Sequence, residues 1–176
     1  IRAGVGLDNI DVNWAGHRGI EVNNTPKSSS NAVAELVLGH MLALARHIPV
    51  ANGTMKAGQW KKKLYGGTEI FGKTLGIIGF GRAGQALARK ADALGMNIIF
   101  YDALVKDHER YNYLPLNELL DKADYISLHT SATDRPILDR EEFKQMKPGT
   151  YIINASRGGV INEDALIEAL DLGIVA

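Results

Sequence analysis

Between residues 73 and 176, short apolar runs alternate with stretches of helical periodicity. The runs at 74–79, 97–101, 125–128 and 150–154 are apolar almost throughout, not at every second position, which is the pattern of strands covered on both faces. Between the first two, 82–94 places Ala83, Leu87, Ala91 and Leu94 on one helical face. Further helices are predicted over 116–122, 140–146 (before Pro148-Gly149) and 163–170. Strand–helix alternation of this kind predicts an α/β fold with a parallel sheet, and right-handed crossovers make that sheet doubly wound.

The first third is patterned differently. Residues 1–26 are rich in Gly and Asn around one short apolar run at 20–22, and they read as part of another lobe, so the chain divides into 1–26 and 27–176. Lys27-Ser28-Ser29-Ser30-Asn31 supplies capping residues for an apolar helix over 32–47 that Pro49 ends. Its apolar residues run nearly all round, which suits burial between domains or subunits. A second short helix is predicted over 50–60, weakened by Gly53 and Gly58, and Lys61-Lys62-Lys63 reads as a solvated loop. The opening residues resemble the end of a strand entering a turn, and 173–176 the start of a new strand after a helix. On that reading the chain is a segment of a longer polypeptide, its sheet cut before the last strands.

Charge and composition narrow the functions. Twenty Lys and Arg balance twenty Asp and Glu, without the basic excess that nucleic-acid and membrane-surface binders rely on. With no cysteine there is no thiolate zinc site, thiol nucleophile or disulfide framework, and a reducing, cytoplasmic setting is expected. The most apolar stretch, 32–45, is interrupted by Glu35 and His40 and falls short of the ~20 residues of a membrane span. No metal site is predicted.

The sharpest local signal is Gly79-Phe80-Gly81-Arg82-Ala83-Gly84, a G-x-G-x-x-G placed between a predicted strand and a predicted helix. Gly79 suits the tight turn, Gly81 a close approach of backbone to a pyrophosphate, and Gly84 the packing of helix on strand. The helix N-terminus then offers free N–H groups and a positive dipole to phosphate. A glycine-rich β–α turn without a ligand has the same pattern. Asp102 ends the second strand 18 positions after Gly84, near the spacing of the carboxylate that accepts ribose hydroxyls; it equally suits an Asp capping its own loop. A carboxylate there repels a 2′-phosphate and favours NAD over NADP, with Lys106 the one nearby cation that softens this. His129-Thr130 follows the third predicted strand and Ala155-Ser156-Arg157-Gly158-Gly159 the fourth, so successive strand ends point polar residues into one crevice. The planar guanidinium of Arg157 matches a carboxylate bidentately, although spacing alone also fits a surface arginine.

Five motifs in order carry a resemblance: Arg2-Ala3-Gly4-Val5-Gly6-Leu7-Asp8-Asn9-Ile10-Asp11; Asn24-Thr25-Pro26 followed by Ser30 to Glu35; Gly58-x-Trp60; Gly79 to Gly84 with Asp102; and Asn154 to Gly159. Together they resemble the D-isomer-specific 2-hydroxyacid dehydrogenases over essentially the whole chain, and the first motif is most similar to the 3-phosphoglycerate-oxidising branch. The resemblance implies a Rossmann-type NAD-binding domain with part of a flavodoxin-like substrate domain, NAD as cofactor, a 2-hydroxy or 2-oxo acid as substrate, and a homodimer formed through the coenzyme domain. It implies that Arg157 is the catalytic arginine, that Gly79, Gly81, Arg82, Ala83 and Gly84 surround the pyrophosphate and that Asp102 holds the ribose. His129 and Thr130 then line the adenine side, Ala155 and Ser156 the nicotinamide loop, and Val5 faces the cofactor from the other lobe.

The family's proton-exchanging His and its supporting Glu match nothing here. His17, His40, His47 and His108 read as surface or helix residues, so this stretch alone is expected to bind NAD without turnover. Glyoxylate or hydroxypyruvate reductases and D-lactate dehydrogenases belong to the same family, and NAD-sensing transcriptional corepressors share its fold and the arginine.

Overall fold

The computed structural model describes all 176 residues. Its centre is a five-stranded, wholly parallel sheet of β1 (Thr74–Ile78), β2 (Asn97–Tyr101), β3 (Asn112–Tyr113), β4 (Tyr125–Leu128) and β5 (Tyr151–Asn154), in the order β3-β2-β1-β4-β5. The order reverses between β1 and β4, and in open α/β sheets the crevice beyond such a reversal is where ligands bind. A parallel bridge from Thr150 to Val175 carries the sheet one step past β5. The strand β3 carries no apolar run and was not predicted; two residues at an edge register against Ile99 and Phe100 because tertiary pairing holds them.

The helices are α1 (Val12–His17), α2 (Ser30–Ala45), α3 (Ile48–Lys56), α4 (Arg82–Ala93), α5 (Leu116–Lys122), α6 (Arg140–Phe143) and α7 (Glu163–Asp171), of which α2 and α4 cover one face of the sheet and α5, α6 and α7 the other. Because side chains alternate along a strand, β1 sends Leu75 and Ile77 into a core shared with α2 and α4, and Ile78 into a second core with α5, α6 and α7. This is why the strands read as continuous apolar runs. In α4 the buried set is Gly84, Ala86, Leu87, Ala88 and Ala91. The stripe predicted for it was narrower and misplaced at its end: Leu94 is the C-cap and 45% exposed, while Gly84, Ala86 and Ala88 are buried as well.

Three predicted boundaries shift. Helix α2 stops at Ala45; His47 takes a left-handed conformation, and Pro49 lies in the first turn of α3, where its missing N–H has no helical partner to lose. The helix predicted over 140–146 is a single turn ending at Phe143, entered through a capping box in which Asp139 and Glu142 satisfy each other's backbone N–H groups. The unpredicted α1 is capped by Asp11, whose Oδ1 accepts the Trp14 N–H at 2.8 Å. Helix α2 buries Ala34, Val37, Met41 and Ala45, yet Leu36, Leu42 and Leu44 face outward with Ile48, Val50 and Met55 of α3. No single helix is long and apolar enough to cross a membrane.

The junction of β1 and α4 sets the geometry of everything above it. A Cβ on Gly84 would run into the Gly79 carbonyl oxygen and lie 3.1 Å from Ile77 Cγ2, so only a glycine lets the first turn of α4 sit this close to the strand. Gly84→Ala is therefore expected to destabilise the fold by about 1–3 kcal/mol, read as a lower urea midpoint. An unchanged midpoint would show that α4 can step back freely.

Candidate functional site

A cleft of about 620 Å³ opens at the carboxyl ends of the strands. Of the residues picked out by their spacing or resemblance, it gathers Val5, Gly81, Arg82, Ala83, His129, Thr130, Ala155, Ser156 and Arg157. Gly79, Gly84 and Asp102 do not line it. Gly79 has φ +94°, and a Cβ there would meet the His129 carbonyl at 2.8 Å, so it makes the turn and lets the ends of β1 and β4 touch. Gly81 caps α4 in extended conformation, and a Cβ on it would project into open space. No neighbouring protein atom demands a glycine at position 81; a ligand approaching the N-terminus of α4 would.

Asp102 does both things that its position allows. Oδ1 accepts the N–H groups of Leu104 at 2.8 Å and Val105 at 3.0 Å, closing its own loop, while Oδ2 accepts the Phe80 N–H of the glycine-rich turn at 2.6 Å. Burial pushes its pKa upward, but the three backbone donors outweigh burial and hold the carboxyl below the usual carboxylate range. Of the ~four acceptor positions of a carboxylate, this leaves one for a ribose hydroxyl.

The end of β4 supplies His129 and Thr130. His129 Nε2 lies 2.9 Å from the buried Ser127 hydroxyl, while its Nδ1 and the Thr130 hydroxyl are buried without a partner. Buried polar atoms are nearly always satisfied, so two such orphans on one wall mark a place where a polar ligand docks. Burial drives the His129 pKa from 6.5 down to about 4, and the imidazole is neutral at physiological pH. His108, expected on the surface, is half-buried: it stacks on Tyr111 and meets Phe80 edge-on, covering the far side of the glycine-rich turn.

Beyond β5, Asn154 shapes the loop that carries Arg157. Its Nδ2 donates to the Arg157 carbonyl at 2.8 Å, and its Oδ1 accepts both the N–H and the hydroxyl of Ser156. Arg157 is not the free surface arginine that spacing alone permits. Its Nε donates to Asp8 Oδ2 at 2.9 Å, across 149 positions of sequence, and Nη1 donates to its own neighbour's carbonyl at 3.0 Å. A Cβ on Gly6 would strike this pair. Asp8, Asn9, Arg2, Pro26, Ser29 and Val33 also line the cleft, and none was assigned a role from sequence. The motif Arg2 to Asp11 was the only signal available for Asp8, because nothing local announces a partner so far along the chain.

The groups present fit a dinucleotide: a bare N-terminus on a twelve-residue helix, an opening at Gly81, two unpartnered polar atoms on the opposite wall and a carboxylate with spare acceptor capacity. They also set a pH dependence. His129 has a folded-state pKa below its unfolded value, so the unfolded chain binds more protons and stability falls as pH drops from about 6.5 to about 4. Asp102 adds a loss further down, as pH falls through its lowered pKa. In urea melts from pH 7 to 4, His129→Asn is expected to flatten the upper part of this decline; an unaltered slope would place the neutral imidazole elsewhere in the balance.

Residues 38–176 match the family described as D-isomer specific 2-hydroxyacid dehydrogenase, NAD binding domain. The chain is 49% identical over 177 residues to hydroxypyruvate reductase of Thermotoga maritima, covering 99% of this chain and 58% of that protein. It is 48% identical over 179 residues to D-3-phosphoglycerate dehydrogenase of Methanocaldococcus jannaschii, covering 98% of this chain and 34% of that one. NAD-dependent formate dehydrogenase from Staphylococcus aureus in complex with NAD superposes with a TM-score of 0.87 at 30% identity, over 99% of this chain and 55% of that one. The chain thus spans between a third and three-fifths of the length of these relatives. A family match over most of its length, on a parallel sheet with a cleft at its carboxyl end, makes this chain a member of the D-isomer-specific 2-hydroxyacid dehydrogenases, matching their NAD-binding domain.

Proposed function

We propose that the protein carrying this chain is a cytoplasmic, homodimeric, NAD-dependent oxidoreductase that interconverts a D-2-hydroxy acid and its 2-oxo acid, with 3-phosphoglycerate as its substrate. The observation that carries the reading is Arg157, held by Asp8 and by the Asn154 loop on the wall facing the glycine-rich turn. The motif Arg2 to Asp11 and the likeness to a D-3-phosphoglycerate dehydrogenase support the substrate; the similar likeness to a hydroxypyruvate reductase favours the second reading, reduction of hydroxypyruvate. The outward apolar residues of α2 and α3 support pairing of coenzyme domains. Residues 1–26 would belong to the substrate domain and 27–176 to the NAD-binding domain.

Gly79, Gly81, Arg82, Ala83 and Gly84 would receive the pyrophosphate, Asp102 the ribose, His129 and Thr130 the adenine side, and Val5, Ala155 and Ser156 the nicotinamide end. NAD held there would supply the hydride acceptor or donor for C2 of the substrate. Arg157 binds the substrate carboxylate and stabilises the charge that develops on the C2 oxygen. With Asp8 on Nε, its Nη groups are oriented without spending binding energy on their placement. Proton exchange with the C2 oxygen falls to a group outside this stretch. His129 is the only histidine lining the cleft, and with a pKa of about 4 it is neutral at physiological pH and a weak proton donor and acceptor.

Arg157→Ala in the full-length protein is expected to lower kcat by a factor on the order of 10²–10³ while the Kd for NADH stays near the wild-type value. Unchanged turnover would remove Arg157 from the mechanism. Titration with NADH and NADPH, followed by energy transfer from Trp14 and Trp60, is expected to show clear preference for NADH; equal affinities would contradict the role given to Asp102.

A further inference from the structure

Ser127 buries a hydroxyl in the middle of the sheet, completely out of contact with solvent. Its register neighbours are Ile77 on β1 and Ile153 on β5, both part of the apolar core under α2 and α4, while Ile126 and Leu128 on either side point into the opposite core. A hydroxyl among alkyl groups is costly unless it is bonded. Its single hydrogen bond is to His129 Nε2, 2.9 Å away and two positions along the chain, hence on the same face. His129 in turn is pinned by its backbone: its N–H donates to the Ile78 carbonyl at 2.7 Å, and its own carbonyl lies where a Cβ on Gly79 would meet it at 2.8 Å. One ring nitrogen thus faces Ser127, and the other, Nδ1, is buried with no partner. His129 lines the cleft and Ser127 does not.

The proton count of this pair decides what the ring can do. Burial keeps the imidazole neutral at physiological pH, so it carries one proton for two nitrogens. With that proton on Nε2, the ring donates to Ser127 Oγ, and the serine's own proton is left without an acceptor in a place that no ligand reaches. With the proton on Nδ1, Ser127 donates to Nε2, and the unpaired donor becomes Nδ1–H on the residue that lines the cleft. Each arrangement leaves one buried donor unmatched, at a cost of about 1–3 kcal/mol. Only the second places it where a ligand in the cleft can accept it. The Thr130 hydroxyl, also buried and unpartnered, belongs to the same wall.

We infer that Ser127 is a positioning residue: by donating to Nε2 it fixes His129 as the Nδ1–H tautomer, and so makes the buried imidazole a neutral hydrogen-bond donor to an acceptor atom of the dinucleotide. This rests on the reading of the cleft as the NAD site. A neutral donor anchors the cofactor without adding charge, so it does not discriminate between the oxidised form, whose nicotinamide is cationic, and the reduced one. A lysine or arginine in its place would.

The test reads the tautomer directly, by two-bond proton–nitrogen NMR of the full-length protein carrying isotope-labelled histidine, with His129 assigned through His129→Asn. At neutral pH the wild type is expected to show Nδ1 protonated and Nε2 bare, with and without NADH, and the Nδ1 resonance is expected to move when NADH is added. A proton on Nε2, or an Nδ1 that does not respond to bound NADH, overturns the inference. In Ser127→Ala both tautomers are expected to be populated, and the Kd values for NADH and NAD to rise alike by about 2- to 10-fold, the weight of one neutral hydrogen bond. Ser127→Thr, which keeps the hydroxyl, is expected to restore the Nδ1–H form. A Ser127→Ala protein that is folded by its melting curve yet keeps the wild-type tautomer or the wild-type affinities overturns the role of Ser127; if that variant does not fold, the wild-type spectra decide alone. Absence of NADH binding to the wild type overturns the reading of the cleft instead, and the tautomer of the unliganded protein still supports or overturns the part played by Ser127.

Discussion

The close approach of α4 to β1 is the constraint on which the rest of the site depends. Gly84 lets the helix press against the Gly79 carbonyl, and Gly79 turns the chain at a backbone angle that other residues resist. With that distance fixed, the N-terminus of α4 lies above the reversal between β1 and β4, and the loops beyond β4 and β5 close round it. A larger residue at either position would lift the helix dipole and its free N–H groups away from the anion they are placed to meet.

The cleft is tuned by withholding protons as much as by placing charges. His129 is kept neutral by burial, so its wall adds no cation opposite the arginines. Asp102 is kept ionised by three backbone donors despite partial burial, and the same bonds join its loop to the glycine-rich turn. One carboxylate therefore holds both its own loop and the glycine-rich turn. Arg157 is handled in a parallel way: Asp8 orients its guanidinium from across the cleft, and Asn154 sets the backbone from which it projects. Through Arg2, Val5 and Asp8 the first residues of the chain form one wall of the cleft.

Much of this was written locally. The strands β1, β2, β4 and β5, together with α4, α5 and α7, lie within a residue or so of where apolar runs and capping residues put them, because each is buried on faces that its own sequence must supply. The glycine spacing located the turn between β1 and α4 with Asp102 bonded to it, and the resemblance singled out Arg157, which the structure places on the cleft wall. The edge strand β3 has no such signature. Its two residues pair with β2 only because the loop after Asp102 is drawn back across the sheet, where Tyr111 packs into the core beside Phe80.

Sequence by itself determined the parallel α/β class and the glycine-rich turn between β1 and α4, since periodicity and glycine spacing are properties of consecutive residues. Tertiary structure alone decided which of those residues meet. The pairing of Asp8 with Arg157 spans 149 positions, and the neutrality of His129 follows from what covers it. Burial and long-range pairing are created by the approach of distant segments, and no window along the chain contains them.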